Sequence, residues 1–245
     1  MRDSSGKTPI WQAIADALRS DLAEGKYAPG DKLPTEAGLA ERFGVNRHTV
    51  RHGISALVEE GLIRTRRGSG AFVAATPTDY PIGQRVRFHE NLIAAGRRPD
   101  KRILQVEERS ATTGEAKALQ IAPGDPVCVY HGLSLADGQP IAVFESLFPL
   151  GRLTGIEEAL HQTSSVTEAL RLVGISDYTR ASTRLTAVRA TATHALHLQV
   201  SEGDPLLKSS GVNVDQAGTA VEFGRTWFAG DRVTLTLENE RPPPV

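Results

Sequence analysis

Residues 33–73 read LPTEAGLAERFGVNRHTVRHGISALVEEGLIRTRRGSGAFV. Thr35 is placed to cap a short helix through Phe43 that turns Leu39, Ala40 and Phe43 inward, and Gly44 ends it as a left-handed residue would. Asn46 is a good N-cap for a second helix over 47–60. Its apolar stripe is Val50, Ile54, Leu57 and Val58, and its opposite face carries Arg47, His48, Arg51 and Ser55. After Gly61, LIRTRR and AFV read as two short strands joined by Gly68-Ser69-Gly70. Two capped helices meeting at a tight Gly-Val-Asn turn, followed by a basic hairpin, have the layout of a winged helix-turn-helix, and the partner that layout implies is double-stranded DNA.

Arg47 and Arg51 are four residues apart, so their guanidiniums lie side by side near the start of the second helix. Recognition helices read base edges with such N-terminal residues, and arginine pairs bidentately with guanine. The plainer alternative is a surface helix whose arginines only face water; the capped helix before it and the hairpin after it argue against that. Arg66 and Arg67 would carry phosphate or minor-groove contacts. The glycine-rich loop opens a strand and lacks a following Lys-Ser/Thr, so it is not a phosphate-cradling P-loop. Upstream, Ile10, Ile14, Leu18 and Leu22 recur every four residues and predict an amphipathic helix over 9–24 with Pro9 at its first turn; GKYAPGDKLP then gives an extended connection.

A chain of 245 residues accommodates two domains. Net charge is only −1, but within 42–67 six arginines face only Glu59 and Glu60, a local excess suited to phosphate binding. The single cysteine, Cys128, excludes an internal disulfide and suits a reducing compartment. No apolar leader-like stretch opens the chain and no run approaches bilayer length, so a cytoplasmic protein without membrane contact is expected.

PGDKLPTE, LAERFGVNRHTVR, LVEEGLI and GSGAFV closely resemble the N-terminal domain of GntR-type bacterial transcription regulators, over about 65 residues. Where that family usually has Arg-Glu in its first recognition motif, this chain has Ala37 and Gly38, so one customary DNA contact is missing. The family's recognition-helix contacts map onto Arg47, His48, Thr49 and Arg51, and its wing contact onto Gly68. With Thr35, Arg66, Arg67 and Ser69, these complete the DNA-contacting set expected here.

AATPTDYPIG (74–83) is rich in turn-formers and reads as a linker, so the expected division is a DNA-binding domain over 1–75, a linker over 76–83 and a second domain over 84–245. In that second domain 126–135 and 139–148 alternate as strands around Asp137-Gly138, a hairpin signal. Ser165-Val-Thr-Glu168 predicts a capping box opening a helix to Val173, and 178–189 a strand. LQIAPGDPVCV (119–129) recurs 79 residues later as LQVSEGDPLLK (198–208). Each copy follows a short helical pattern (113–119, 192–198) and precedes a hairpin turn, implying one antiparallel sheet built from related halves.

RVRFHENLIAAGRRP, LADGQPIAVFESLFP, DYTRASTRLTA and VEFGRTWFAGDRVTLTLE resemble the UTRA effector domain of the HutC branch of GntR regulators, most nearly its phosphonate-metabolism regulators called PhnF. The resemblance implies an α+β protein: a winged helix-turn-helix followed by a chorismate lyase-like antiparallel sheet flanked by helices. It also implies a homodimer that leaves a palindromic operator when a small anionic effector binds, with no cofactor or metal. Family positions for the effector correspond to Arg87, Phe88, His89, Glu145 and Glu222. The Arg-x-Arg clamp that many HutC members carry is replaced by Gly132 and Ser134. A substitute is read on 178–185, where alternation puts Tyr178, Arg180, Ser182 and Arg184 on one face; a solvent-facing stripe is the plainer alternative. Ser165 is a further candidate at a helix N-terminus, although capping alone explains it. His194-x-x-His197 is the one metal-like histidine spacing and reads as helical surface. The other readings are an answer to a sugar phosphate or a urocanate-like ligand, or retained lyase-type catalysis, for which no catalytic arrangement is legible.

Overall fold

The computed structural model describes residues 9–237 apart from 67, 69, 75–76, 84–87 and 164, and for Arg66 the backbone alone. Two compact units divide the chain, Met1–Thr76 and Pro77–Val245.

The first unit runs α1 (Ile10–Ala23), α2 (Glu36–Phe43), α3 (Arg47–Glu59), β1 (Ile63–Arg66) and β2 (Gly70–Val73). Its caps are those the sequence predicts. Thr35 Oγ1 accepts the Gly38 N–H at 3.2 Å, Asn46 Oδ1 accepts the Thr49 N–H at 2.8 Å, and Gly44 closes α2 at φ 64°. Leu18, Leu39, Val50 and Leu57 are fully buried where the three helices meet. A Cβ on Gly53 would lie 3.0 Å from the Trp11 carbonyl oxygen, so glycine there lets α3 lie close against α1. Asp21, buried on α1, receives Arg42 from α2 at 2.5 Å and Lys26 at 2.6 Å. Arg42 is therefore a tie between helices.

The second unit contains β3 (Thr78–Pro81), α4 (Phe88–Ala94), β4 (Pro99–Ser110), α5 (Thr113–Leu119), β5 (Pro126–Ala136), β6 (Gln139–Pro149), α6 (Ile156–Gln162), α7 (Val166–Leu172), β7 (Tyr178–Arg189), α8 (Ala192–Leu198), β8 (Pro205–Asp215), β9 (Ala220–Ala229) and β10 (Val233–Thr236). Six strands form one antiparallel sheet in the order β4-β5-β6-β9-β8-β7. The repeat seen in the sequence is larger than the quoted echo, because the outer strands belong to it: β4-α5-β5-β6 recurs as β7-α8-β8-β9, and β4 and β7 are themselves 79 residues apart. Capping boxes at Thr112/Glu115 and Thr191/His194 open α5 and α8, and Gln120 and Gln199 close them in the left-handed region.

Arginine clasps repeat as well. Arg152 donates to the carbonyls of Leu119 (3.1 Å), Gln120 (2.7 Å) and Ala220 (3.3 Å). Arg232 donates to Leu198 (2.7 Å), Gln199 (3.1 Å) and Pro140. Each ties the end of a helix in one half to the first turn of the other half's hairpin. One sheet face packs α6 and α7 around Cys128, Tyr130 and Phe148, and packs β3, α4 and β10 around Ala136 and Phe228. Its other face carries α5 on Val127, Val129 and Leu147, and α8 on Leu133, Leu135 and Val143.

Two expectations are corrected. Residues 78–82, read as linker, belong to the second unit: β3 pairs in parallel with β10, and Tyr80 and Ile82 are buried beside Phe228. The expected box at Ser165 is one-sided. Ser165 Oγ accepts the Glu168 N–H at 3.4 Å, but the Glu168 carboxylate turns instead to Arg171 at 2.9 Å, and α7 ends at Leu172.

Arg232 is 4 % exposed and serves three carbonyls, so Arg232→Met should cost about 3 kcal/mol or more by leaving buried acceptors unpaired. Arg152 is exposed, and Arg152→Met should cost less. Urea unfolding of the two variants checks the order; equal losses would show that burial does not set the strength of the clasp.

Candidate functional sites: a basic helix face and a cavity on the sheet

On the first unit, α2 and α3 meet at Gly44 and present the N-terminus of α3 to solvent. Arg47 and His48 are exposed there, and Arg47 makes no ion pair among the described residues. Arg51 is held by Glu36 of α2 through two bonds, Nε to Oε1 at 3.0 Å and Nη2 to Oε2 at 2.6 Å. That bonding also holds the Glu36 carboxyl below its usual range. Both groups face solvent, so the pair adds little stability; its effect is to fix the plane of the guanidinium. Thr35 and Thr49 serve the caps, Thr49 Oγ1 donating to Asn46 Oδ1 at 2.9 Å. Gly68 lies at the wing tip with φ 77°. Arg67, Ser69 and the Arg66 side chain lie outside the described residues. Arg42 is committed to Asp21, so it does not stand in for the arginine that the family usually has where this chain has Ala37.

On the second unit, the two packed ends of one sheet face leave a cavity of about 270 Å³ between them. Phe88 and His89 from α4, Ser165 at the start of α7, Tyr178 and Arg180 from β7, and Glu222 from β9, six of the residues named from the sequence, all line it. Arg87 lies outside the described residues. Glu222 is buried and doubly held: Ser146 Oγ donates to Oε1 and Asn213 Nδ2 to Oε2, each at 2.5 Å. Arg180 lies over Gly211, where an added Cβ would fall 1.9 Å from Nη1, and its Nε is buried without a hydrogen-bond partner.

Arg184 and Glu145 are not in this cavity. β7 carries a bulge: Arg180 pairs with Asn213 and Ser182 with Val212, leaving Ala181 unpaired. The extra residue reverses the alternation, so Thr183 takes the cavity face and Ser182 and Arg184 the other. Glu145 lies between Phe144 and Ser146, both of which line the cavity, and therefore points through the opposite face. There it meets His131 at 3.1 Å and Arg225, which also reaches Glu115 at 3.1 Å. Burial works to raise the Glu145 carboxyl, but the His131 and Arg225 bonds hold it below its usual range. Arg109 holds Glu115 still lower.

One residue escaped the sequence reading. Lys101 on β4 lines the cavity with its Nζ 5.1 Å from the Phe144 ring centre and 5.6 Å from that of Phe88. It pairs across the strands with Ser134, one of the two positions where the HutC clamp would have an arginine. At the other, a Cβ on Gly132 would fall 2.5 Å from Phe144 Cζ, so glycine makes room for that ring. Removal from water lowers Lys101 to about 8, with Glu222 acting against the shift. The signal that could have found it is the repeat: 101 lies 79 residues before 180. Among the described residues no cluster of His, Cys, Asp or Glu could hold a metal ion, and no helix is long and apolar enough to cross a membrane.

Family comparison places both units. Residues 11–73 match the family described as bacterial regulatory proteins, gntR family, and residues 94–234 match the UTRA domain. The chain is 37% identical to an uncharacterized HTH-type transcriptional regulator of Rhizobium meliloti (strain 1021), over 94% of each chain. It is 32% identical to the probable transcriptional regulator PhnF of Escherichia coli (strain K12), over 94% of this chain and 95% of that one. The crystal structure of PhnF from Mycobacterium smegmatis is similar with a TM-score of 0.64 at 26% identity, covering 94% of this chain and all of that one. These relatives are regulators, which decides against lyase-type catalysis.

Arg47→Ala and Arg51→Ala should each weaken specific DNA binding by about 1–3 kcal/mol. Gel-shift titration at fixed salt, on duplexes selected from a random pool, measures this. Unchanged affinity in both variants would move base readout away from the start of α3.

Proposed function

The chain belongs to the gntR family of bacterial regulatory proteins, with a UTRA domain as its second unit, and from that premise we propose that it is a cytoplasmic homodimeric repressor released from a palindromic operator by a small anionic metabolite of phosphonate type. A symmetric pair of winged units matches two half-sites. The observation that carries the ligand reading is Arg180: a guanidinium lining the cavity, its Nε buried and unpartnered, is a planar fork ready for a tetrahedral anion. Phe88, His89, Ser165, Tyr178 and Glu222 surround the same space. To act as an inducer, the ligand has to bind the operator-free state more tightly by about 1–3 kcal/mol or more. A sugar phosphate is the second reading, favoured by the hydroxyls of Ser134, Ser209 and Thr226 in the lining.

The bulge separates two arginines that strand alternation alone would join. Arg180→Ala should bind DNA normally and fail to release it over a panel of alkyl- and carboxyalkylphosphonates, while Arg184→Ala responds as the parent does. Release assays by fluorescence anisotropy read both. Normal release from Arg180→Ala would remove Arg180 from the anion site, and loss of response in Arg184→Ala would return Arg184 to it.

A further inference from the structure

Each edge strand of the sheet sends one cation into the cavity, and the repeat relates the two: Lys101 on β4 and Arg180 on β7 are 79 residues apart, the same offset as the strands that carry them. They do not start near one another. Register carries the row through Lys101 by way of Ser134, Ala142, Phe228 and Leu207 to Ala187, seven residues from Arg180 on β7. Both nonetheless line the same cavity of about 270 Å³, so a ligand that fills it meets both.

Neither cation has an ion-pair partner among the described residues. Lys101 Nζ meets the rings of Phe88 and Phe144, and the buried Nε of Arg180 meets nothing. Of the carboxylates in the lining, Glu222 already accepts Ser146 and Asn213, and Glu168 is bonded to Arg171. A cation partly withdrawn from water with no carboxylate in ion-pair contact is unfavourable, and an anion brought to it recovers that cost. One tetrahedral group satisfies one of the two sites and leaves the other as it was.

We propose that the effector carries two anionic groups, a phosphonate held by Arg180 at the β7 edge and a carboxylate held by Lys101 at the β4 edge. This inference rests on the reading of the cavity as the effector site. The guanidinium fork suits the tetrahedral dianion bidentately, and the ammonium between two rings suits a carboxylate end as a point charge.

Titration calorimetry on the full chain tests it, with carboxyalkylphosphonates of two to four carbons as two-ended probes and ethylphosphonate and propionate as one-ended ones. At least one two-ended acid should bind tenfold or more tightly than ethylphosphonate. Lys101→Met should remove that gain, its loss being at least tenfold greater for the two-ended acid than for ethylphosphonate, and Lys101→Arg should restore it. Arg180→Met should weaken both. Ethylphosphonate binding as tightly as every two-ended acid, or Lys101→Met costing both probes equally, would overturn the two-anion requirement while leaving the cavity as the effector site. No heat from any probe, or heat that survives both Lys101→Met and Arg180→Met, would overturn the effector-site reading and this inference with it.

Discussion

Arg152 and Arg232 impose the constraint on which the second unit depends. Each reaches the last carbonyls of a helix in its own half and one carbonyl at the start of the other half's hairpin. Each arginine thus ties its own half's helix end to the other half's hairpin, so the two halves are cross-braced as one sheet. Two copies related this way share a pseudo-dyad between β6 and β9, and the cross-strand pair nearest it is Glu145 with Arg225. Like charges directly opposite would repel, and here the two copies differ in sign. The clasp and the central ion pair are thus one design: repetition holds the halves together, and a single charge reversal at the axis makes their contact favourable.

On the cavity face the same repetition yields chemistry. Lys101 and Arg180 are equivalent positions, so the cavity receives cations in a pair. Glu222 has no acidic mate, because past the hairpin turn, where the second copy is one residue longer and the offset becomes 80, its counterpart in the first half is Ala142. Arg171 and Glu168 in the lining satisfy each other, so Lys101 and Arg180 are left as lining cations without an ion-pair partner among the described residues, which favours an anion. The coverings of that face break the symmetry further. α6 and α7 follow β6 and pack one end, whereas β3, α4 and β10 pack the other. What remains open between unlike walls is a site with two different ends.

Much of this is legible in the sequence where the deciding interactions are local. Thr35, Gly44, Asn46 and the Asp137-Gly138 turn act within a few residues, so their letters predict their conformations. The helix face at Arg47 and Arg51 follows from period alone. Residues 78–82 read as linker because β3 owes its existence to β10, a parallel partner at the far end of the domain that no nearby residue announces. Arg184 reads onto the wrong face because alternation runs straight through a bulge, and nothing in ASTR marks Ala181 as the extra residue. Glu145 is drawn into the site by family position; its face is set by its cross-strand pairing with Arg225, a partner 80 residues away that no nearby residue announces. Lys101 becomes visible through the offset of 79 only when the echo is extended from Leu119 back to β4, where the two copies share few letters.

Each edge strand carries a bulge near its cation. β4 slips register between Ile103 and Gln105, and β7 between Arg180 and Ser182, so each edge carries its irregularity just beyond its cation. Register also shifts inside the sheet, at Ile141 of β6 and Val221 of β9, so bulges here are not confined to the edges. The bulge increases twist and re-aims the residues beyond it, which on β7 turns Arg184 outward and leaves Arg180 as the β7 cation lining the cavity. Had the alternation continued, two guanidiniums would have crowded one end of the cavity. The bulge on β7, and not strand alternation, thus decides that this strand presents one guanidinium to the cavity and not two.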